Sequence, residues 1–184
     1  MTRLARPIGP ADLGALAALN DSAVPAVNAL GLDGLATHVP RCDVAVVIDD
    51  DAGLAVGFLL ALVPGTDYAS ENYRWFEANH PGSLYVDRIV VHPTWQGRGL
   101  GRLLYAAVDA RASELGLAEI TCEVNLEPPN PASLAFHAWL GFTRIGEQST
   151  YGGAGRVAMM ARGARGGGAT DVGLKSRMST LRPE

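Results

Sequence analysis

The chain has 184 residues, of which 48% are hydrophobic and 18% charged, so it is long and apolar enough to bury the core of one domain. Its formal net charge of −4 at pH 7 argues against nucleic acid as a partner, because proteins that bind nucleic acid carry a strongly basic surface. The longest apolar run, residues 54–63, is shorter than the roughly 20 residues that span a membrane, and the N-terminus lacks a secretory signal, so we expect a cytoplasmic protein without a membrane partner.

The first third of the chain predicts a strand, two helices and a hairpin. A short apolar run at residues 4–8 is strand-like, and apolar residues at helical spacing from Pro10 onward predict a helix. Residues 25–39 predict a second, shorter helix. Two β-rich runs, residues 44–48 and 54–63, are separated by an acidic turn and predict an antiparallel pair.

The middle of the chain predicts a buried strand followed by a long helix. Residues 64–82 are rich in aromatic side chains and predict an ordered excursion with one helix. Residues 84–91 are apolar on both faces apart from two charged residues, which predicts a strand at the centre of a sheet. A glycine-rich turn follows, and the helix after it is expected to end at Gly116.

The last third predicts a strand at residues 118–124 and a helix at residues 131–140, which Asn130 caps. A hairpin of residues 142–151 and 156–161 then completes a domain of residues 1–162, and residues 163–184 are expected to form a flexible tail. The order of elements predicts an α/β fold of the α+β type. Its mixed, mostly antiparallel sheet has about seven strands and is flanked by about four helices.

The glycine-rich turn is a candidate phosphate site. Gly97, Gly99 and Gly101 precede a helix whose first amides have no intrahelical partner, and Arg98 and Arg102 can add charge-assisted hydrogen bonds. The alternative is that the glycines only allow the helix to pack closely on a strand. A nucleotide triphosphate loop is excluded because the chain has no Gly-Lys-Ser or Gly-Lys-Thr triplet.

Dinucleotide binding is a weaker alternative for the same turn. Glu123 stands at the end of the next strand, about where an acid that binds ribose would lie. However, the spacing is G-x-G-x-G, and a hairpin rather than a βαβ unit precedes the turn, so we do not favour this interpretation.

Two segments together resemble the GNAT-type N-acetyltransferase superfamily. Residues 86–104, VDRIVVHPTWQGRGLGRLL, resemble its acyl-CoA pyrophosphate motif, and residues 130–137, NPASLAFH, with Leu140-Gly141-Phe142, resemble its second signature. The two motifs occur in the family's order and spacing, and the predicted elements from residue 3 to about 162 resemble its whole fold.

The resemblance implies acetyl-CoA as the cosubstrate and assigns residues to it. The main-chain groups of Ile89, Val90 and Val91 would pair with the pantetheine arm like an added strand. The amides that would hold the pyrophosphate are those of Gln96, Gly97, Arg98, Gly99, Leu100, Gly101 and Arg102. Asn130 would bond to the pantetheine as well as cap its helix, and Ser133 and Phe136 would pack along the cofactor.

Two residues are candidates for proton transfer. His137 stands where the family usually has the tyrosine that protonates the leaving thiolate, and an imidazole can donate a proton near neutral pH. A structural histidine is the alternative. Asp87 lies two residues before Ile89 and is expected on the same face of the strand, where its carboxylate could take a proton from an amine; pairing with Arg88 is the alternative.

The aromatic excursion is the candidate acceptor pocket. Tyr68, Tyr73 and Trp75 lie close together among carboxylates, a combination that suits a small cationic amine. The alternative is that these rings anchor the segment to the sheet.

The sequence thus predicts a transferase that moves an acetyl group from acetyl-CoA to a primary amine, most simply of a small molecule, by direct attack. Neither motif contains a cysteine, and Cys42 and Cys122 match no metal-ligand spacing, so no acyl-enzyme, metal or disulfide is expected. A non-catalytic acyl-CoA-binding module, a protein N-acetyltransferase, another acyl group, a hydroxyl acceptor and a homodimer all remain open.

Overall fold

A computed structural model describes residues 3–165 of the chain. Within them lie seven strands in one mixed sheet and five α-helices, an α/β arrangement that confirms the predicted fold class. The strands are β1 (Arg6–Pro7), β2 (Val44–Asp49), β3 (Ala55–Leu62), β4 (Leu84–Val91), β5 (Glu119–Glu127), β6 (Thr143–Thr150) and β7 (Gly155–Gly163). The helices are α1 (Leu13–Ser22), α2 (Gly31–His38), α3 (Glu71–Asn79), α4 (Leu100–Leu115) and α5 (Pro131–Trp139).

The sheet runs β1-β2-β3-β4-β5-β7-β6, which places β4 at its centre as predicted. Every neighbouring pair is antiparallel except β4 and β5, which are parallel. These two strands pair at only three positions, from Leu84 with Ile120 to Val86 with Cys122. Beyond Val86 and Cys122 they separate, so the sheet has a gap at its centre.

Helices cover both faces of the sheet, and the core is divided accordingly. On one face α4 contributes Leu104, Tyr105 and Val108 to the largest apolar cluster, which Leu140 and Phe142 complete. On the other face, α1 and α2 pack on β2 and β3, and α3 packs on β4, β6 and β7, through smaller clusters. The central gap is therefore flanked by different helices on each side. Within the described part of the chain, the helices are all too short or too polar to cross a bilayer.

A β-bulge in β4 changes one sequence-based expectation. Leu60 pairs with Arg88 and Ala61 with Val86, so Asp87 is an extra residue without a partner on β3. The bulge breaks the alternation of faces. Asp87 consequently contacts α2 on the face opposite to that of Ile89, and the prediction that they share a face is wrong.

The two ends of the described chain differ from expectation in detail. The strand predicted at residues 4–8 contains only Arg6 and Pro7, which pair with β2. At the other end β7 continues to Gly163, and Arg165 donates hydrogen bonds to Asp109 and to the carbonyl of Leu140. The rest of the predicted tail, residues 166–184, lies outside the described residues.

Candidate active site

The gap between β4 and β5 exposes a free main-chain edge. The side chain of Asp87 is only 5% exposed although the residue as a whole is partly exposed, so its accessible atoms belong to the main chain. Ile89 and Val91 are partly exposed as well, and they pair with β3 on the opposite edge only. An extended ligand can therefore add to this edge like a strand, and pairing of Ile89, Val90 and Val91 with the pantetheine stays a prediction.

The glycine-rich turn presents main-chain amides. Gly97 and Gly99 have φ values of +72° and +81°, which disfavour any residue with a side chain, and open space surrounds both. Within residues 3–165, the amides of residues 99–102 have no hydrogen-bond acceptor, as expected for the first turn of α4. These free amides and the positive end of the α4 dipole form a site for an anion such as a diphosphate.

The side chains around this turn support the same role. Arg98 and Arg102 are exposed; the guanidinium of Arg98 lies 4.7 Å from the centre of the Trp95 ring, and Arg102 has no polar partner among the described residues. The buried Leu100 side chain anchors α4 to the core. At Gly101 a Cβ would lie 2.6 Å from the ring of Phe136, so glycine allows α4 and α5 to approach. Close packing thus explains Gly101, whereas anion binding at Gly97 and Gly99 stays a prediction that the open space around them allows.

The start of α5 is built as predicted. The Asn130 side-chain oxygen accepts a hydrogen bond from the amide of Ser133, which confirms the N-cap. The amide nitrogen of the same Asn130 side chain is not used in that bond. It can donate to a ligand that lies in the gap.

His137 is enclosed rather than presented to the gap. The residue is 2% exposed; its Nδ1 lies 2.8 Å from the Ser133 carbonyl oxygen and its Nε2 lies 2.9 Å from the Tyr105 hydroxyl. Because a carbonyl can only accept, Nδ1 donates its proton and Nε2 accepts from the tyrosine. Burial lowers the pKa of His137 and favours its neutral form. These contacts favour a packing role.

Asp87 is a buried anion surrounded by donors. Its two oxygens accept hydrogen bonds from His38 Nε2 (3.0 Å), Arg88 Nε (2.8 Å) and the Tyr68 hydroxyl (2.9 Å), and the Tyr85 hydroxyl oxygen lies 3.5 Å from Oδ1. Burial alone would raise the pKa of Asp87, but the hydrogen bond from His38 and the charge of Arg88 outweigh it and hold that pKa below its ordinary value. A carboxylate so fully hydrogen-bonded is a poor proton acceptor.

The loop between α1 and α2 is fixed over the gap from both strands. Arg88 of β4 donates to the side-chain oxygen of Asn28 in this loop and to that of Asn20 in the last turn of α1, each at 2.9 Å. Asn125 of β5 donates to the carbonyl of Pro25, also at 2.9 Å. The loop therefore narrows the entrance to the gap on this face.

Glu123, which the sequence brought forward only as a weak candidate for binding ribose, is a largely buried acidic side chain beside the gap. It follows Cys122, the last residue of β5 that pairs with β4, so its side chain stands where the strands separate. The Tyr85 hydroxyl donates to Oε1 at 3.0 Å, whereas Oε2 is buried and has no partner among the described residues. Burial and the negative charge of Asp87 raise the pKa of Glu123 to about 8. This carboxyl can both take and give a proton near neutral pH.

Of the three predicted acceptor residues, only Tyr68 reaches the carboxylates. Tyr68 contacts Asp87 and stacks on His38 at 4.8 Å, and the outer sides of these two rings line a surface pocket of about 370 Å³. Tyr73 is buried and its hydroxyl donates to the carbonyl of Val63. This hydrogen bond ties α3 to the loop between β3 and α3.

Trp75 packs away from the carboxylates. It meets Phe76 edge-on at 5.3 Å and stacks on His80 at 6.0 Å, and it covers Gly146 of β6. The contacts of Tyr73 and Trp75 are thus those of anchors for α3, which is the alternative that the sequence left open.

The cysteines are not arranged for chemistry. Cys42 and Cys122 are free thiols, and burial raises the pKa of Cys42 to about 12, so it carries no reactive thiolate near neutral pH. Among the described residues, no three His, Cys, Asp or Glu side chains are placed to hold a metal ion.

A sequence model of the Acetyltransferase (GNAT) family matches residues 25–142 of the chain. No curated protein sequence matches the chain. Among solved structures, the ribosomal-protein-S18-alanine N-acetyltransferase from Escherichia coli has a TM-score of 0.66 at 18% identity, over 92% of this chain and 98% of that chain.

Two further solved structures share the fold. Naa20 from Chaetomium thermophilum, solved with a bisubstrate analogue, has a TM-score of 0.68 at 19% identity, over 86% of this chain and 85% of that chain. A phosphinothricin acetyltransferase from Sinorhizobium meliloti, solved with acetyl-CoA, has a TM-score of 0.65 at 23% identity, over 89% of each chain. At such identities these similarities show the fold alone.

Proposed function

This chain belongs to the GNAT family of acetyltransferases, which use acetyl-CoA as the acyl donor, and we propose that it acetylates a primary amine of a small molecule. The observation that carries this proposal is the Glu123 carboxyl, with its raised pKa and a free oxygen, at the point where β4 and β5 separate.

The donor side of the site uses main-chain groups. Bound acetyl-CoA supplies an activated acyl group as a thioester. The amides at the start of α4, with Arg98 and Arg102, hold its diphosphate, and the free edge of Ile89 to Val91 aligns the pantetheine. Asn130 donates to the same arm, and Ser133 and Phe136 lie along it. These contacts fix the thioester so that an amine is the only mobile reactant.

Glu123 moves the proton on the acceptor side. Its ionised form takes a proton from the attacking amine nitrogen onto Oε2. Because its pKa of about 8 is close to the value of about 8.5 of an ordinary thiol, the same carboxyl can return that proton to the leaving sulfur. His137 remains a second candidate donor of the proton to the leaving sulfur. Its Nε2 is hydrogen-bonded to the Tyr105 hydroxyl, so the proton would have to move through that hydroxyl. Asp87 stays ionised throughout and does not exchange a proton.

The acceptor is an amine of modest size because of what lines its approach. The loop between α1 and α2 is fixed across the gap by Arg88 and Asn125, and the two carboxyls beneath it favour a basic nitrogen. Similar folds include an enzyme named for a ribosomal protein and one named for phosphinothricin, so a polypeptide N-terminus is the second acceptor to test.

The test is release of free thiol from acetyl-CoA by the whole chain. Diamines, amino acids and amino sugars form one arm, and short peptides with free N-termini form the other. We expect turnover with a small amine, and less than a tenth of that rate with peptides. Turnover only with peptides would overturn the small-molecule assignment, and tight acetyl-CoA binding with no turnover in either arm would show a non-catalytic binding module.

A further inference from the structure

Two buried carboxyls share one hydroxyl next to the gap. The Tyr85 oxygen lies 3.0 Å from Glu123 Oε1 and 3.5 Å from Asp87 Oδ1. A tyrosine has a single proton to donate, so it can serve one carboxylate at a time. When Glu123 is ionised the proton points to Glu123, and when Glu123 is protonated the hydroxyl can turn to Asp87.

Asp87 does not depend on this hydroxyl for its charge. His38, Arg88 and Tyr68 donate to it at 3.0 Å or less. The guanidinium of Arg88 donates through its other nitrogens to Asn20 and Asn28. The negative charge of Asp87 is therefore fixed, while the cation that pairs with it is also held by these two asparagines.

The remaining groups around Glu123 do not offset that charge. Tyr85 and Asp87 face it from β4, and Asn72 faces it from α3. Tyr68, Tyr105 and Cys122 also interact with it electrostatically, and none of these groups is a cation. Two like charges this close disfavour a second ionisation, so the fixed anion is the one that holds the proton on its neighbour.

We propose that Asp87 and Tyr85 are positioning residues that set the proton affinity of Glu123, Asp87 by its fixed charge and Tyr85 by its shared hydrogen bond. The inference rests on the proposed function, because Glu123 is the group that exchanges a proton there. The proton moves from the amine nitrogen to Glu123 and from Glu123 to the departing sulfur, with no proton passing to Asp87. Helix α2 contributes to the fixed charge of Asp87 through His38, whose Nε2 is hydrogen-bonded to Asp87 Oδ2.

The test is a pH titration of Glu123 in the free protein. Carbon NMR of protein labelled at the glutamate carboxyls monitors the titration. The Glu123→Gln variant assigns the signal. In the wild type we expect a midpoint of about 8. Asp87→Asn keeps the shape but removes the charge, and should lower the midpoint by about 1–3 pH units. Tyr85→Phe removes one of the two side-chain donors that stabilise ionised Glu123, the other being Asn72, and should raise the midpoint.

Asp43→Asn is the matched control, because Asp43 is paired with Arg111 at the surface; it should leave the midpoint unchanged. An unchanged midpoint in folded Asp87→Asn would overturn the proposal. If Asp87→Asn does not fold, Tyr85→Phe decides, and a midpoint that does not rise contradicts the shared hydrogen bond.

The pH dependence of kcat/KM in the same variants separates this inference from the proposed function. A rate profile that shifts in parallel with the titration supports both. A titration that shifts while the rate profile stays fixed supports the electrostatic inference and refutes Glu123 as the acid–base group.

Discussion

The two sides of the gap are formed by differently distributed parts of the sequence. The donor side consists of consecutive residues of β4, the turn and α4, and its working groups are main-chain amides and a strand edge. The acid–base side is assembled from side chains of α2, β4, β5 and the loop that carries Tyr68. Local patterns determine main-chain geometry, whereas a side-chain network depends on strand register and on distant contacts.

The largest expected effect concerns the acid–base side. Glu123→Gln keeps the size and the hydrogen bond to Tyr85 but cannot accept a proton, so kcat should fall by a factor of about 10²–10⁴. The Kd of acetyl-CoA should stay the same. Glu119→Gln, on the same strand but paired with His80 at the surface, is the control and should keep its activity. A fully active Glu123→Gln variant would remove the distinction between the two sides.

His137 lies in α5, the helix that Asn130 caps, and is expected to act by packing. His137→Ala leaves a cavity and an unpaired Tyr105 hydroxyl, which should lower the free energy of unfolding by about 2–4 kcal/mol. We expect kcat in the folded variant to stay within about tenfold of the wild type. Denaturant unfolding and thiol release measure the two quantities. A loss of about 10²–10³ in kcat with unchanged stability would instead make His137 the proton donor.

One negative charge at the glycine-rich turn should prevent acetyl-CoA from binding on the donor side. Gly99→Asp places a carboxylate beside the diphosphate, while Gly99→Asn has the same shape and tolerates the positive φ of +81°. Acetyl-CoA at 100 times its Kd should stabilise the wild type by about 2.7 kcal/mol, which raises the Tm by several degrees. The aspartate variant should lose this shift and the asparagine variant should keep part of it. Equal shifts in both would place the anion elsewhere.

The smallest effects sharpen the boundary of the acceptor pocket. Tyr68→Phe removes one hydrogen bond to Asp87 and should lower kcat/KM for the amine by a factor of about 3–10. Trp75→Ala should lower the Tm and leave kcat/KM nearly unchanged, because the Trp75 ring packs against Phe76, His80 and Gly146. A large loss of amine kcat/KM in folded Trp75→Ala would return the pocket to the aromatic segment.

Much of the fold could be predicted because its signals are local. The structure confirms the bounds of β4, the end of α4 at Gly116 and the cap at Asn130, each of which depends on neighbouring residues. The hairpin of β2 and β3 follows from two β-rich runs on either side of an acidic turn. The glycine turn could be predicted as well, since the positive φ values at Gly97 and Gly99 favour glycine.

The acid–base network could not be predicted for a physical reason. The bulge at Asp87 depends on how β4 pairs with β3, and it moves the side chain to the face opposite the predicted one. The role proposed for Glu123 depends on the end of β4–β5 pairing at Cys122, and its partner Tyr85 is 38 residues away in sequence. No spacing within either strand carries that information.

The central claim is that Glu123 exchanges the proton during transfer, and the pH dependence of kcat/KM tests it most directly. The acceptor should be an amine whose own pKa lies well below that of Glu123, so that its ionisation adds no limb to the profile. Because the ionised carboxylate is the base, kcat/KM should rise about tenfold per pH unit and level off above about 8. Glu123→Gln should lose this limb. A flat wild-type profile from pH 6 to 9, or the same limb in Glu123→Gln, would contradict the account.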